Sequence, residues 1–327
     1  MPEINMARAL HKALDESLNR DDRVCLMGED IGINGGVFRV TKGLQEKYGE
    51  KRVRDTPLAE CGIIGTAVGM AIYGLKPIAE IQFSGFSLQA FDQIEQNMAR
   101  MHHRTRGKYK IAMVMRTPYG GGIRAVEHHS ESREAYWAHT PGLKVVIPSG
   151  PRNARALLNA AVESPDPVIF YEPKAVYRAF REEVPDEYET MEIGKAQIVR
   201  EGHAVTLIAY GAMMRPVRQA ADQLNSDHGI DCEVVDLLSV SPMDTETIIT
   251  SVKKTGHAVI VHEGPRTCGI AAEVIARINE HAFDYLQAPI RRITGYDINF
   301  PYFQCEKYYL PDRDTIIEAV CETVNYE

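Results

Sequence analysis

Glu60 is the residue of this 327-residue chain best placed to do chemistry. It lies in the stretch Asp55-Thr-Pro-Leu-Ala-Glu60, and small or apolar residues follow: Gly62, Ile63, Ile64, Gly65, Ala67, Val68 and Gly69. A carboxylate in apolar surroundings can hold or share a proton near neutral pH. A glutamate at a helix start can also simply complement the helix dipole. Two further places could handle protons. Glu29 and Asp30 follow the apolar run Val24–Gly28, and acidic residues at the carboxyl end of a buried strand often face a ligand crevice. A solvated turn is the plainer alternative. His128 and His129 follow the three glycines 120–122. Imidazole titrates near neutrality and suits a proton shuttle. A surface histidine pair is the plainer use, and no carboxylate or cysteine stands at a familiar metal-ligand spacing.

Composition narrows the field. There are 37 basic and 45 acidic residues, a net charge of −8, which argues against nucleic acid or an anionic membrane as the main partner. No apolar run is long enough to cross a membrane. The segment Met1-Pro-Glu-Ile-Asn5 reads as neither signal nor transit peptide. The six cysteines are scattered without a CxxC pair, which fits a reducing, cytoplasmic setting.

The elements that position these residues follow from periodicity. Residues 4–18 carry Met6, Leu10, Ala13, Leu14 and Leu18 at helical spacing. Thr56 can cap a helix with Pro57 in its first position, and this helix carries Glu60. Several glycines in one helix suggest that a ligand or another backbone approaches closely. Buried strands are expected at 23–28, 76–83, 110–116, 144–148 and 167–171, with helices at 86–100 and 151–162. Such alternation builds a parallel, doubly wound sheet. The loop Gly32–Phe38 is glycine-rich but lacks the spacing of a phosphate-binding fingerprint. From Glu172 the pattern turns to charge and proline, and residues 184–195 read as the linker. Domains are therefore expected over 1–183 and 196–327. The second repeats α/β alternation, with strands at 204–210, 231–237, 258–262 and 290–294 and helices near 214–225, 244–254, 270–281 and 313–324.

Read together and in order, several motifs resemble a known family. They are Gly28-Glu-Asp30, Gly35-Gly-Val-Phe-Arg39, Asp55-Thr-Pro-Leu-Ala-Glu60, Ala79-Glu-Ile-Gln-Phe83, Ala90-Phe-Asp-Gln-Ile94, His129-Ser130, Pro141-Gly-Leu-Lys-Val-Val-Ile-Pro148 and Gly295-Tyr-Asp297. The chain resembles, from end to end, the beta subunits of thiamine-diphosphate-dependent decarboxylase components of 2-oxo acid dehydrogenase complexes. The resemblance implies a transketolase-like pyrimidine-binding domain followed by a smaller transketolase C-terminal-like α/β domain. It also implies an alpha2-beta2 heterotetramer, with thiamine diphosphate held between chains. An alpha subunit would supply the diphosphate and magnesium site, since this chain has no Gly-Asp-Gly.

Residue roles carry over one by one. Glu60 falls on the glutamate that activates the cofactor by sharing a proton with the aminopyrimidine ring. Phe86 falls where an aromatic ring stacks on that pyrimidine. Gln82 lies at the adjacent cofactor-facing position, and Glu29 near the pyrimidine crevice. His129 matches the histidine that faces the substrate and the incoming lipoyl group. A structural potassium ion is implied around Ala161, Ser164 and Asp166, with Ser164 standing where some members have Asp.

The implied activity is oxidative decarboxylation of a 2-oxo acid, followed by reductive acylation of lipoamide on a lipoyl-bearing acyltransferase. Residues 170–178 and 295–302 favour branched-chain substrates over pyruvate, and acetoin-cleaving relatives share the scaffold. Two rivals are a self-sufficient thiamine enzyme of the transketolase type and a non-catalytic doubly wound binding module. The missing diphosphate-binding domain argues against the first. Glu60 together with Phe86 and His129 argues against the second.

Overall fold

The computed structural model describes residues 2–326. The first half supplies six strands of a seven-stranded sheet. From one edge, the strands are Val53–Asp55, Val24–Gly28, Lys76–Glu80, Val114–Tyr119, Val168–Pro173, Lys144–Val146 and Ser239–Ser241. The first six run parallel. The last comes from the second half of the chain and pairs antiparallel with Lys144–Val146. The second sheet has five strands: Arg291–Ile293, Ala258–Val261, Val205–Ala209, Cys232–Asp236 and, antiparallel at the edge, Gln197–Arg200. Most central strands are buried on both faces, as a parallel sheet covered by helices requires.

Helices cover both faces. On one side lie Met6–Arg20 and Pro151–Glu163, packed against each other, with Met214–His228 and Arg313–Val324 over the second sheet. On the other side lie Glu60–Ile72, with Thr245–Thr255 and Ile270–Ala282 over the second sheet. Each apolar core therefore runs across both halves of the chain. Asn5 caps the first helix by accepting from the Arg8 amide, which fixes where the helix begins. No helix is long and apolar enough to cross a membrane among the described residues.

The structure moves some expected boundaries. The helix carrying Glu60 spans Glu60–Ile72 with Ala59 as its cap residue, so Thr56 does not cap it. The Thr56 amide instead donates to the Gly28 carbonyl, and this bond holds the segment against the strand end. The expected helix at 86–100 is irregular, with tight 3₁₀-type turns over Ser84–Ala90 and a wide π-type stretch over Gln93–Met98. The chain also stays ordered past Glu172: Lys174, Val176 and Tyr177 are buried.

One buried charge network lies at the carboxyl ends of the central strands. The Arg116 guanidinium donates to Glu172 at 2.7 Å and to Glu80 at 2.8 Å. The Tyr177 hydroxyl donates to the other Glu172 oxygen at 2.5 Å. All three charged groups are nearly solvent-free. Burial pushes the Glu80 carboxyl upward, and Arg116 opposes that push. Removing one partner of such a network leaves a buried charge unpaired. Arg116→Met is expected to cost about 3–5 kcal/mol of stability, read as a lowered midpoint in denaturant unfolding. An unchanged midpoint would show that solvent already reaches the two carboxylates.

Candidate active site

The carboxyl ends of the parallel strands converge on one crevice. The strand Val24–Gly28 delivers Glu29 and Asp30, with Asp30 in the left-handed region at φ 57°. The neighbouring strand Val53–Asp55 delivers Asp55, whose carboxylate accepts the amides of Gly32 at 2.6 Å and Ile33 at 3.3 Å. This clamp shapes the glycine-rich loop, and an added Cβ at Gly32 would come within 2.5 Å of the Asp55 carboxylate and push it aside. Chain direction then reverses through Thr56–Ala59 and places Glu60 at the first helical position.

Glu60 is 7 % exposed, as is Glu29. Burial raises the Glu29 carboxyl above its usual range, with the Glu60 and Asp30 charges adding to that push. The two glutamates thus lie within electrostatic reach of each other in one crevice. Gln82 joins them, its side-chain amide donating to Asp30 at 3.3 Å. Beneath Glu60, Ile63, Ile64, Ala67 and Val68 anchor the helix in the core with Ile81, Ile94 and Met98. Gly65 meets the Gln93 side chain, while Gly69 faces open space. Within this chain the close approach expected from the glycines occurs only at Gly65.

An aromatic cluster adjoins the crevice. Phe83 stands edge-on to Phe86 at 5.9 Å between centroids and edge-on to Phe38 at 5.8 Å. The His129 ring lies 4.3 Å from Phe83 and 5.2 Å from Phe86. Phe86 is half-buried, which leaves part of its ring available. The His129 Nδ1 atom is enclosed without a hydrogen-bond partner. Burial pushes the His129 imidazole down, and the nearby Lys174 and His128 charges push the same way, against Glu127. These effects favour the neutral imidazole, which has one donor and one acceptor nitrogen. His128 stacks at 6.3 Å on Phe86 and is more exposed than His129. The structure thus brings Glu29, Glu60 and Gln82 into one crevice and places Phe86 and His129 together beside it.

The donor set fits a thiamine cofactor's pyrimidine. A buried carboxylate suits a ring nitrogen that carries a proton, an amide suits exocyclic groups, and a half-exposed phenyl ring suits stacking. The expected potassium position fits less well. The Lys144 ammonium donates to the Ser164 hydroxyl at 3.0 Å and pairs with Asp166 at 3.4 Å. His102 takes the other Asp166 oxygen at 3.0 Å. Ala161 lies within the helix Pro151–Glu163, and its carbonyl accepts the Ser164 amide at 3.3 Å. A tethered cation already engages both side chains, so the geometry departs from the expected ion site at Ala161, Ser164 and Asp166.

Sequence reasoning missed two carboxylates that hold the histidine loop and a buried lysine near it. Glu263 accepts the Gly121 amide at 2.7 Å, and Glu306 accepts the amides of Gly122 at 3.0 Å and Arg124 at 3.1 Å. Both carboxylates come from the second half of the chain, and both are buried. Gly120 has φ 81°, and a Cβ there would meet the Glu263 carboxylate at 2.5 Å, so the loop needs glycine. The third residue is Lys174, 3 % exposed, with its ammonium 5.7 Å from the Phe83 ring centre. Glu263 follows a buried strand, as Glu29 does, so the same strand-end signal could have found it. Lys174 stood in a charge-rich stretch with no such signal.

Comparison with known proteins bears on the family and the fold. Residues 2–179 match the family described as "Transketolase, pyrimidine binding domain", and residues 194–316 match "Transketolase, C-terminal domain". The chain is 49 % identical over 316 residues to a protein of Acholeplasma laidlawii named "Pyruvate dehydrogenase E1 component subunit beta", covering 97 % of this chain and 96 % of that one. It is 46 % identical over 326 residues to a protein of the same name from Staphylococcus epidermidis, covering both chains fully. Among solved structures, a split-gene transketolase described as an inactive beta4 tetramer aligns with a TM-score of 0.80 over 99 % of each chain. At 23 % identity that likeness shows the fold alone. The chain belongs to the beta-subunit family of 2-oxo acid dehydrogenase decarboxylase components, built from a transketolase pyrimidine-binding domain and a transketolase C-terminal domain.

Proposed function

We propose that this chain is the beta half of an enzyme that decarboxylates pyruvate and passes the acyl group to lipoamide on a separate acyltransferase. Its partner is an alpha subunit in an alpha2-beta2 tetramer, and thiamine diphosphate is shared between the two. The observation that carries the reading is the pairing of Glu60, enclosed in a strand-end crevice, with His129 beside Phe86. The sequence motifs favoured branched-chain acids, but relatives 45–49 % identical bear pyruvate in their names, which supports pyruvate instead. Six unpaired thiols among the described residues favour a reducing, cytoplasmic setting.

Bound in this crevice, thiamine diphosphate supplies the nucleophilic carbon and the electron sink. Glu60 would stand as the hydrogen-bond partner of the pyrimidine ring nitrogen, and low local polarity would strengthen that bond. Gln82 would meet the ring edge, and Phe86 would offer its face for stacking. His129, neutral and half-enclosed, orients the 2-oxo acid and moves a proton at its imidazole nitrogen. The Glu263 and Glu306 carboxylates fix the glycine loop that carries it.

Co-expression with an alpha subunit holding a Gly-Asp-Gly motif tests the proposal. Isothermal titration with thiamine diphosphate and magnesium is expected to show tight binding only for the two chains together. Carbon dioxide release is expected with pyruvate and to be weaker with branched-chain acids. Micromolar cofactor binding and turnover by the isolated chain would overturn the split-enzyme reading, and preferential turnover of a branched-chain acid would overturn the substrate.

A further inference from the structure

A cavity of about 800 Å³ lies where the segment 132–141 of the first half meets the segment 262–269 of the second. Phe91, Ala135, Pro141 and Pro265 give it apolar walls. Two deeply buried polar side chains stand among them: Glu134 is 2 % exposed and His262 1 %. Tyr210 holds both in place. Its hydroxyl donates to Glu134 Oε1 at 2.8 Å, and its ring stacks on His262 at 6.2 Å between centroids. The other Glu134 oxygen, Oε2, and both His262 nitrogens have no hydrogen-bond partner. Buried polar groups are normally paired, so three unpaired atoms on one wall call for an explanation. The two side chains also converge. A Cβ on Gly264 would sit 3.3 Å from Glu134 Oε1, 3.6 Å from His262 Nδ1 and 3.7 Å from the Ser132 Cβ, and glycine leaves that point open.

We infer that this cavity is a binding site for a small organic cation whose head carries two N–H donors, an amidinium or guanidinium, on an apolar body. Glu134 Oε2 accepts one donor, the acceptor nitrogen of His262 takes the other, and the apolar walls enclose the body. Burial, with Arg292 adding to it, pushes the His262 imidazole down to about 4, so the ring is neutral and keeps an acceptor nitrogen. Three charged side chains line the cavity: Glu95, Arg133 and Glu134. Glu95 pairs with Arg100. Arg133 pairs with Glu131 and lies 5.5 Å over the Tyr136 ring. Among the described residues Glu134 alone of the three makes no ion pair, which favours a cation over an anion as the ligand. A metal ion fits poorly, since the described residues hold no group of three or more Asp, Glu, His or Cys side chains suited to one. None of Glu29, Glu60, Gln82, Phe86 and His129 lines the cavity, so the inference does not rest on the proposed decarboxylation.

The test uses the full chain assembled with its alpha partner, and benzamidine as the probe, with benzamide and benzoate as neutral and anionic counterparts. Isothermal titration is expected to show saturable benzamidine binding. The thermal unfolding midpoint should rise with benzamidine concentration, because a ligand that binds only the folded state stabilises it. Benzamide should bind at least about tenfold more weakly, the scale of one charge-assisted hydrogen bond, and benzoate more weakly still. Glu134→Gln keeps an acceptor for Tyr210 and removes the charge, and it should weaken benzamidine binding by about tenfold or more. Gly264→Ala puts a methyl group at the point where Glu134 and His262 converge, and it should weaken binding at least as much while leaving every charge in place. Benzamidine binding that is unweakened in either folded variant lies elsewhere and overturns the inference. Preference for benzoate overturns it too. So does an absence of binding to the wild-type assembly, the result expected if a neighbouring chain covers the cavity or if water alone completes its polar groups. The wild-type titrations decide the matter even if a variant fails to fold.

Discussion

Glu60→Gln is expected to lower carbon dioxide release from pyruvate by roughly 10²-fold or more, the scale of a lost positioned proton-transfer group. Glutamine has nearly the same shape, so the helix Glu60–Ile72 and its buried face should be unchanged. What disappears is a carboxyl group able to share a proton at a mostly buried side chain. Proton exchange at the cofactor should fall in step with decarboxylation, while tetramer assembly and cofactor affinity change little. A second signature follows from the neighbouring carboxyl. Glu29 is held high first by burial and then by the Glu60 charge. Removing that charge should let Glu29 drift part of the way down, leaving it ionised at a lower pH than in the wild type. Near-full activity of Glu60→Gln at saturating cofactor would reduce Glu60 to a helix-end charge.

His129→Ala is expected to separate the two halves of the reaction. Transfer to a lipoyl domain should fall by roughly 10²-fold, again the range for one proton-transferring side chain. Decarboxylation read with an artificial electron acceptor should fall less, because that acceptor bypasses the lipoyl sulfur. The geometry supports the separation: His129 lies against Phe83 and Phe86, on a loop beyond the strand-end glutamates. Stopped-flow decarboxylation beside a lipoyl-acylation assay gives both rates. Equal losses would place His129 in the shared step. No loss would make it a surface histidine.

Much of the first sheet was legible because its strands are buried on both faces and read as plain apolar runs. The helix of Glu60 was legible as an element but not in its start, since Thr56 is held to the strand end through Gly28 and the helix begins four residues later with Ala59 as its cap residue. The strands Val53–Asp55 and Ser239–Ser241 were missed for a different reason. Each is three residues long, and each owes its extended form to a partner strand rather than to its own pattern. Glu29, Glu60, Gln82, Phe86 and His129 stood out through ordered motifs, and the structure places Glu29, Glu60 and Gln82 at the strand ends and Phe86 against His129. Glu263, Glu306 and Lys174 were not, because the contacts that give them meaning join residues more than 80 positions apart.

The strand Ser239–Ser241 makes the two matched domains unequal as modules. It leaves the second half and closes an edge of the first sheet, where the Ile147 amide also donates to the Leu238 carbonyl at 2.8 Å. A gene fragment ending in the linker would leave Lys144–Val146 as an open edge, with unpaired amides and carbonyls ready to capture another chain. Shuffling C-terminal halves among relatives would therefore exchange a piece of the N-terminal sheet as well. The gap between the two matched segments, which end at residue 179 and resume at 194, and the structural seam are in different places, so recombination between the segments inherits a mismatch unless both partners share this strand's register.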